Sequence, residues 1–177
     1  NGTTFAAGLV GQAFRFDGVD ALIRIANSRT IGFSGPFSVE FWFNPTTTIG
    51  TSTPNQVLLA KGRYSESGFN APVAIQVLGG DGRLLVRMPP APALVSTTAA
   101  WPAGTWHHIA LSWDGARYRL YVNGIEEAGL DNAFSIIDSI DPITLGNADG
   151  FAAAGFAGLL DEATLYNRAL TPAEVSA

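Results

Sequence analysis

Two short runs of alternating apolar and polar residues, each followed by a glycine turn, lie between Trp106 and Gly124. An alternation with a period of two is typical of a half-buried β-strand. The turns Asp114-Gly115 and Asn123-Gly124 supply the positive φ angles that tight hairpins need. The segment therefore predicts a β-hairpin, and the apolar positions that share its faces are Ile109, Leu111 and Trp113 in the first run and Tyr118, Leu120 and Val122 in the second.

Similar runs recur along the whole chain, at 12–16, 21–26, 37–44, 57–60, 73–78, 83–88, 142–146 and 158–166. The clearest is 37–44, where four apolar residues alternate with Ser38, Glu40, Trp42 and Asn44 until Pro45, which cannot donate to a ladder. The stretches 46–55 and 88–92 are rich in turn residues and predict loops. Many short strands without a long helical period predict an all-β sandwich or jelly roll. One terminal helical turn is expected at 171–174, where Thr precedes Pro.

Length, composition and charge restrict the class of protein. The 177 residues, 47% hydrophobic and 14% charged, fit one globular domain spanning 1–177 with a large core. Cysteine is absent, which excludes thiol chemistry, and the net charge of −5 with a single lysine, Lys61, argues against a nucleic-acid partner. No apolar run approaches the ~20 residues of a membrane span, so no membrane insertion is expected. The start at Asn1, without a leader pattern, leads us to expect a piece of a longer polypeptide with further domains.

Catalytic patterns are weak. A retaining glycosidase needs two carboxyl groups about 5 Å apart, which one strand provides at positions two or four apart. The pairs Glu126-Glu127 and Asp161-Glu162 are adjacent and would point to opposite faces, and Glu40 stands alone on its run. His107 and His108 also diverge, and no carboxylate two residues away orients either ring. We therefore expect a protein that is not an enzyme.

One strand face is a candidate for ligand binding. The alternation of 37–44 places Glu40 and Trp42 opposite the phenylalanine face, where an indole could stack on a sugar while polar groups bind its hydroxyls. The alternative is that these aromatic residues are packed under loops or a second layer. The candidate ligand-binding residues are Glu40, Trp42, Gln76 and Arg87 from strands, with Tyr64 and Trp101 from loops.

Six segments, in this order, resemble the laminin G-like domains of the concanavalin A-like lectin/glucanase superfamily, in the variety common in bacterial extracellular proteins. They are 14–20 (FRFDGVD), 37–45 (FSVEFWFNP), 104–110 (GTWHHIA), 120–124 (LYVNG), 143–146 (ITLG) and 156–170 (FAGLLDEATLYNRAL). The resemblance implies a jelly-roll β-sandwich of two antiparallel sheets, and it implies packing and hydrogen bonding for the histidine pair. Because the superfamily includes lectins, adhesion modules and glucanases, the fold does not determine the activity.

The resemblance also suggests an ion. Similar domains often hold a structural Ca²⁺ between the first and last strands, at positions that correspond to Asp17 and Asp161, with Asp20 as a weaker third ligand. The alternative is that Asp17 caps its own turn and Asp161 accepts backbone hydrogen bonds.

Taken together, these observations predict a non-catalytic recognition module of a larger bacterial protein, extracellular or on the cell surface. Its expected partner is a glycan, which would make it a carbohydrate-binding domain. The alternative is an extracellular protein partner, with a role in cell adhesion or as a spacer, and the third hypothesis is a glycan-active enzyme. These classes differ in what they require: exposed aromatic residues in a groove, an exposed apolar patch, or converging carboxylates with displaced pKa values.

Overall fold

The computed structural model describes residues 2–28, 31, 33–51, 53–65, 68–132, 139–149 and 154–176, with the side chains of 63–70 outside the description. Within these ranges the chain forms thirteen strands and one short helix. The elements are β1 (Thr4–Ala7), β2 (Gln12–Asp17), β3 (Ile23–Ile25), β4 (Phe37–Pro45), β5 (Gln56–Ser65), β6 (Gly68–Val77), β7 (Leu84–Met88), β8 (Ala91–Val95), β9 (His107–Trp113), β10 (Arg117–Val122), β11 (Ile125–Asp131), β12 (Ile143–Leu145), β13 (Ala157–Tyr166) and α1 (Pro172–Val175).

The strands form two sheets. One has seven strands in the order β1-β2-β13-β4-β9-β10-β11, and the other has six in the order β3-β12-β5-β6-β7-β8. Neighbouring strands pair antiparallel throughout both sheets. The predicted jelly-roll sandwich of two antiparallel sheets is therefore confirmed.

Strand β4 lies in the middle of the seven-stranded sheet, between β13 and β9. Its four alternating apolar residues are at most 3% exposed and belong to the core between the sheets. They are Phe37, Val39, Phe41 and Phe43. The inner face of this strand is the one that the alternation predicts.

The predicted hairpin is formed by β9 and β10. Trp113 pairs with Tyr118 and Ile109 with Val122, so the apolar positions of both strands face the core together. The next turn, to β11, has φ angles of 50° at Asn123 and 78° at Gly124. Left-handed backbone at both central residues is the requirement of a type I′ turn, and it is why this position carries Asn-Gly.

Three strands were not expected from the sequence: β1, β8 and β11. Each lies at the edge of a sheet, where few side chains are buried and the apolar alternation is weak. The proline-rich stretch at 88–92 leads directly into β8, which contains Pro92. An edge strand tolerates proline because one of its sides has no partner to bond.

The chain end packs on the outer face of the seven-stranded sheet. Helix α1 begins with a capping box, in which Thr171 and Glu174 satisfy each other's backbone N–H groups, as the expected helical turn requires. Leu170 and Val175 pack against β9 and β10, so part of this face is covered and part stays open. No helix in the described part of the chain is long and apolar enough to cross a bilayer.

Candidate functional site

A groove of about 650 Å³ lies on the open part of the outer face of the seven-stranded sheet. Its floor comes from three neighbouring strands: Thr164 from β13, Glu40 and Trp42 from β4, and His108 from β9. The surrounding positions belong to the β1–β2 loop, the approach to β9, the β10–β11 turn, the outer part of β13 and the chain end. They are Leu9, Val10, Trp106, Asn123, Gly124, Glu162, Tyr166, Glu174, Val175 and Ser176.

Strand register brings the floor residues together. Glu40 lies opposite Ala110 of β9 and Thr164 of β13, and Trp42 lies opposite His108. Because alternate side chains point to opposite faces, the core phenylalanines of β4 place Glu40 and Trp42 outward. The structure thus brings together the two candidate residues that the sequence assigns to this face.

Two neighbouring side chains hold Glu40. The Tyr166 hydroxyl donates to Oε1 over 2.7 Å, and Nε2 of His108 lies 3.2 Å from Oε2. Burial lowers the pKa of His108, and the nearby Glu40 carboxylate opposes this shift only in part. The pKa of Tyr166 is raised, chiefly because its hydroxyl donates to Glu40. At neutral pH both donors are therefore uncharged, and the negative charge of Glu40 is not cancelled by them.

Trp42 supplies an aromatic surface beside this carboxylate. Its indole is half-buried, and its centroid lies 5.0 Å from the His108 ring at an interplanar angle of 37°. His108 is the cross-strand partner of Trp42 on β9, so its ring lies beside the indole on the same face of the sheet. An aromatic ring held next to hydrogen-bonding groups is the usual composition of a small-ligand site.

A β-bulge brings a second carboxylate to the groove. Leu160 and Leu165 pair with Phe43 and Val39, which are four positions apart, whereas the two leucines are five apart. The extra residue of β13 is absorbed at the register shift between Asp161 and Thr164, where Glu162 has a φ of 50°. A left-handed non-glycine residue is costly, and such strain is concentrated at functional positions.

The other strand-borne candidates lie elsewhere. Gln76 of β6 and Arg87 of β7 are on the outer face of the six-stranded sheet, because Ile75 and Val86 take the core positions. Two sheets and the core separate them from Trp42. The expectation of one groove lined by Trp42, Gln76 and Arg87 is therefore wrong, since alternation shows that a residue faces away from the core but not on which side of the sandwich.

Trp101 does not lie at a surface. Its indole is fully buried, Nε1 donates to the Gly82 carbonyl over 2.7 Å, and the ring packs against Phe43 at 5.2 Å. Placing Trp101 among the ligand-binding residues was thus incorrect, because its polar atom and its apolar surface are both satisfied in the core. Tyr64 belongs to β5 rather than to a loop, and its side chain lies outside the described residues.

The two histidines have different surroundings. His107 packs on the inner face against Phe43 and Trp101, which agrees with the packing role that the resemblance implies. His108 contacts Glu40 of the neighbouring strand, a partner 68 positions away that the search for a carboxylate two residues off could not find. His108 and Tyr166 are therefore site residues that sequence reasoning missed, as are Asn123 and Glu162 of the groove lining.

The residues proposed for calcium do not fit one shared ion. Asp17 pairs with Ala157, four positions from Asp161 along β13, so the backbone positions of the two aspartates lie about 13 Å apart along the strand direction. Ca²⁺ needs its ligands at 2.3–2.6 Å. Oδ1 of Asp17 accepts from the backbone of its own turn, at Val19 and Ala21, which also lowers its pKa. These contacts correspond to the alternative in which the aspartates accept hydrogen bonds from the backbone and Asp17 caps its own turn.

No cluster of three or more candidate metal ligands occurs among the residues that the structure describes, and Asp20 does not complete one. If millimolar Ca²⁺ raises the melting temperature relative to EDTA, we expect the rise to be equal in the unmodified protein and in Asp17→Asn. Thermal melts of both proteins check this. A calcium-dependent rise that disappears in both Asp17→Asn and Asp161→Asn would contradict the separation of these two residues.

The fold and the groove can now be compared with known proteins. A laminin G-like family model, described as the concanavalin A-like lectin/glucanases superfamily, matches residues 17–176, and the chain belongs to this superfamily. No curated protein sequence matches the chain.

Solved structures share the fold. Domain 4 of AbnA, a GH43 extracellular arabinanase from Geobacillus stearothermophilus in complex with arabinotriose, has a TM-score of 0.73 at 24% identity, with 99% of this chain and 80% of that one covered. The binding domain of Paraclostridial Mosquitocidal Protein 1 has a TM-score of 0.78 at 20% identity, covering 99% and 45%. Trypanosoma rangeli sialidase in complex with the inhibitor DANA has a TM-score of 0.67 at 17% identity, with 98% of this chain and 28% of that one covered. The chain thus spans less than half the length of the latter two proteins.

Proposed function

We propose that this protein is a carbohydrate-binding module without catalytic activity, and that the groove over Glu40 and Trp42 is its binding site. The observation that carries the proposal is the half-buried indole of Trp42 on the floor of a groove that also holds hydrogen-bonding groups. Sugars present an apolar ring face and a rim of hydroxyls, which this combination matches. The volume of about 650 Å³ is in the range of small-ligand sites and accommodates a short oligosaccharide.

The polar groups around Trp42 are held in place before a ligand arrives. Glu40 is fixed by Tyr166 and His108, and Asn123 is fixed because its Oδ1 accepts from the backbone N–H of His108 over 2.8 Å. Groups ordered in advance lose little conformational freedom on binding, which favours affinity. The comparison with AbnA domain 4, solved in complex with arabinotriose, supports carbohydrate binding as the function. We further propose an extracellular location, as part of a larger bacterial protein.

Replacing Trp42 with Ala should weaken glycan binding at least about tenfold, which corresponds to about 1.4 kcal/mol, because the stacking surface is lost. A glycan array followed by titration calorimetry identifies the ligand and measures its Kd, which we expect between micromolar and millimolar. The matched control is Phe5→Ala, which removes a 62%-exposed aromatic ring outside the groove and should leave Kd unchanged. Equal Kd values for Trp42→Ala and the unmodified protein would show that the groove is not the glycan-binding site.

A catalytic role is tested on the same glycans. Glu40 and Glu162 both line the groove, and paired carboxylates are what glycosidases use. We expect no new reducing ends when the protein is incubated with a glycan that it binds. Release of reducing ends that is lost in Glu40→Gln would overturn the non-catalytic part of the proposal.

The second candidate function is protein binding. Phe5 of β1 and Phe14 of β2 form an aromatic pair with centroids 5.3 Å apart at the sheet edge, and both rings are exposed. Exposed aromatic residues beside the open side of an edge strand are suited to contact another protein. A broad glycan screen without any binding, combined with loss of a protein partner in Phe5→Ala, would favour this function over carbohydrate binding.

A further inference from the structure

The geometry of the groove points to a preference for sugars that carry an amine: we infer that the site binds 2-amino-2-deoxy glycans more tightly than their neutral or acidic counterparts. The inference rests on the proposed carbohydrate-binding function and names its substrate class. It comes from the charges of the residues that surround Trp42, taken one at a time.

Glu40 contributes a negative charge on the floor. Its side chain is 20% exposed, and its two hydrogen-bond donors, Tyr166 and His108, are neutral. Because these donors are neutral, they fix the orientation of the carboxylate without cancelling its charge. A ligand ammonium that reaches the exposed part of Glu40 would therefore meet an oriented acceptor.

Glu162 contributes a second negative charge at the rim. The bulge in β13 and its left-handed backbone place this exposed residue beside the floor, and no described residue donates a hydrogen bond to its carboxylate. Glu174, the third carboxylate of the groove, is different, because Arg168 pairs with it over 2.8 Å and cancels its charge. Two uncompensated carboxylates therefore remain.

The described lining contains no lysine or arginine to offset them. An acidic sugar would bring its carboxylate close to two like charges without a cationic partner, which opposes binding. An ammonium gains from both carboxylates, and the indole of Trp42 adds cation–π attraction to the same charge, whereas the Tyr166 ring already has the Arg168 guanidinium 5.8 Å from its centroid. The aromatic floor and the net negative charge thus select the same ligand class.

The test uses three β-1,4-linked trimers that differ only at carbon 2: glucosamine, N-acetylglucosamine and glucose. Titration calorimetry at about pH 6, where most amines of the trimer carry a proton although the neighbouring C–O groups make them weaker bases than a simple alkylamine, should give a Kd for the glucosamine trimer about tenfold lower than for the other two. Each of the two carboxylates is expected to contribute about threefold to this ratio, as solvent-accessible ion pairs do. Raising the salt concentration should remove most of this difference, because exposed charges are screened.

Glu162→Gln should reduce the tenfold ratio to about threefold. The matched control is Asp81→Asn, which removes one negative charge from an exposed turn of the other sheet and should leave the ratio unchanged. Melting temperatures of both variants check that the fold is intact. A ratio that falls equally in both variants would show an effect of net charge alone and would overturn the inference.

The possible outcomes distinguish the preference for amino sugars from the carbohydrate-binding function on which it rests. Neutral trimers that bind as tightly as the glucosamine trimer, or an array on which sialylated or uronic glycans are preferred, would overturn the amine preference and leave carbohydrate binding in place. Absence of binding to every glycan would overturn both.

Discussion

Phe41→Ala should destabilise the protein by about 3 to 5 kcal/mol, the usual cost of removing a buried phenylalanine. The side chain is fully buried in the middle of β4, and its neighbours on β9 and β13 cannot collapse into the space without disturbing both pairings. Urea unfolding followed by tryptophan fluorescence measures the change in the free energy of unfolding.

Phe5→Ala is the matched control for this experiment, since it makes the same chemical change at a 62%-exposed ring and should cost well under about 1 kcal/mol. A loss below about 1 kcal/mol for Phe41→Ala would mean that the sheet has collapsed around the cavity or that β4 is not central to the core.

Asp161→Ala is expected to cost about 2 to 3 kcal/mol, because the carboxylate accepts from three backbone N–H groups at once. Oδ2 accepts from the backbone N–H groups of Leu9 and Val10 over 2.8 and 3.0 Å, and Oδ1 accepts from the backbone N–H of Glu162 over 3.0 Å. Without these bonds the β1–β2 loop loses its attachment to β13. Urea unfolding gives the stability change, and hydrogen exchange at the Leu9 and Val10 amides reports the loop directly.

The control is Asp20→Ala, an exposed aspartate in the turn after β2, which should change stability by less than about 0.5 kcal/mol. Unchanged amide protection at Leu9 and Val10 in Asp161→Ala would show that the loop is held by other contacts. Because these two residues line the groove, faster exchange there should accompany weaker glycan binding.

The central elements of the fold were predictable because their signals are local. In β4 and in the β9–β10 hairpin, apolar alternation and the Asp114-Gly115 turn are signals that span only a few residues, and burial in the sheet centre makes the alternation strong. The edge strands β1, β8 and β11 carry no such pattern, because exposure removes the pressure for apolar alternation. The prediction therefore missed three of the edge strands in the described sheets, found the fourth, β3, and held in the middle of both sheets.

The site was predictable only in part. The alternation along β4 was enough to predict that Glu40 and Trp42 point outward. Contacts of Glu40 with His108 and Tyr166 depend on which strands become neighbours, with separations of 68 and 126 positions, and no local pattern encodes that. The same lack of information allowed Gln76 and Arg87, which face outward on the other sheet, to be assigned to one groove with Trp42.

The bulge in β13 separates two roles within a single strand. Leu160 and Leu165 face the core on either side of it, whereas Glu162 and Ala163 have no paired partner on β4. Substitution of Glu162 changes the chemistry of the groove rim while the packing beneath stays as it is. Related domains could therefore diversify in the ligands that they select by varying this one residue among the types that tolerate its left-handed backbone, while the core beneath keeps its packing.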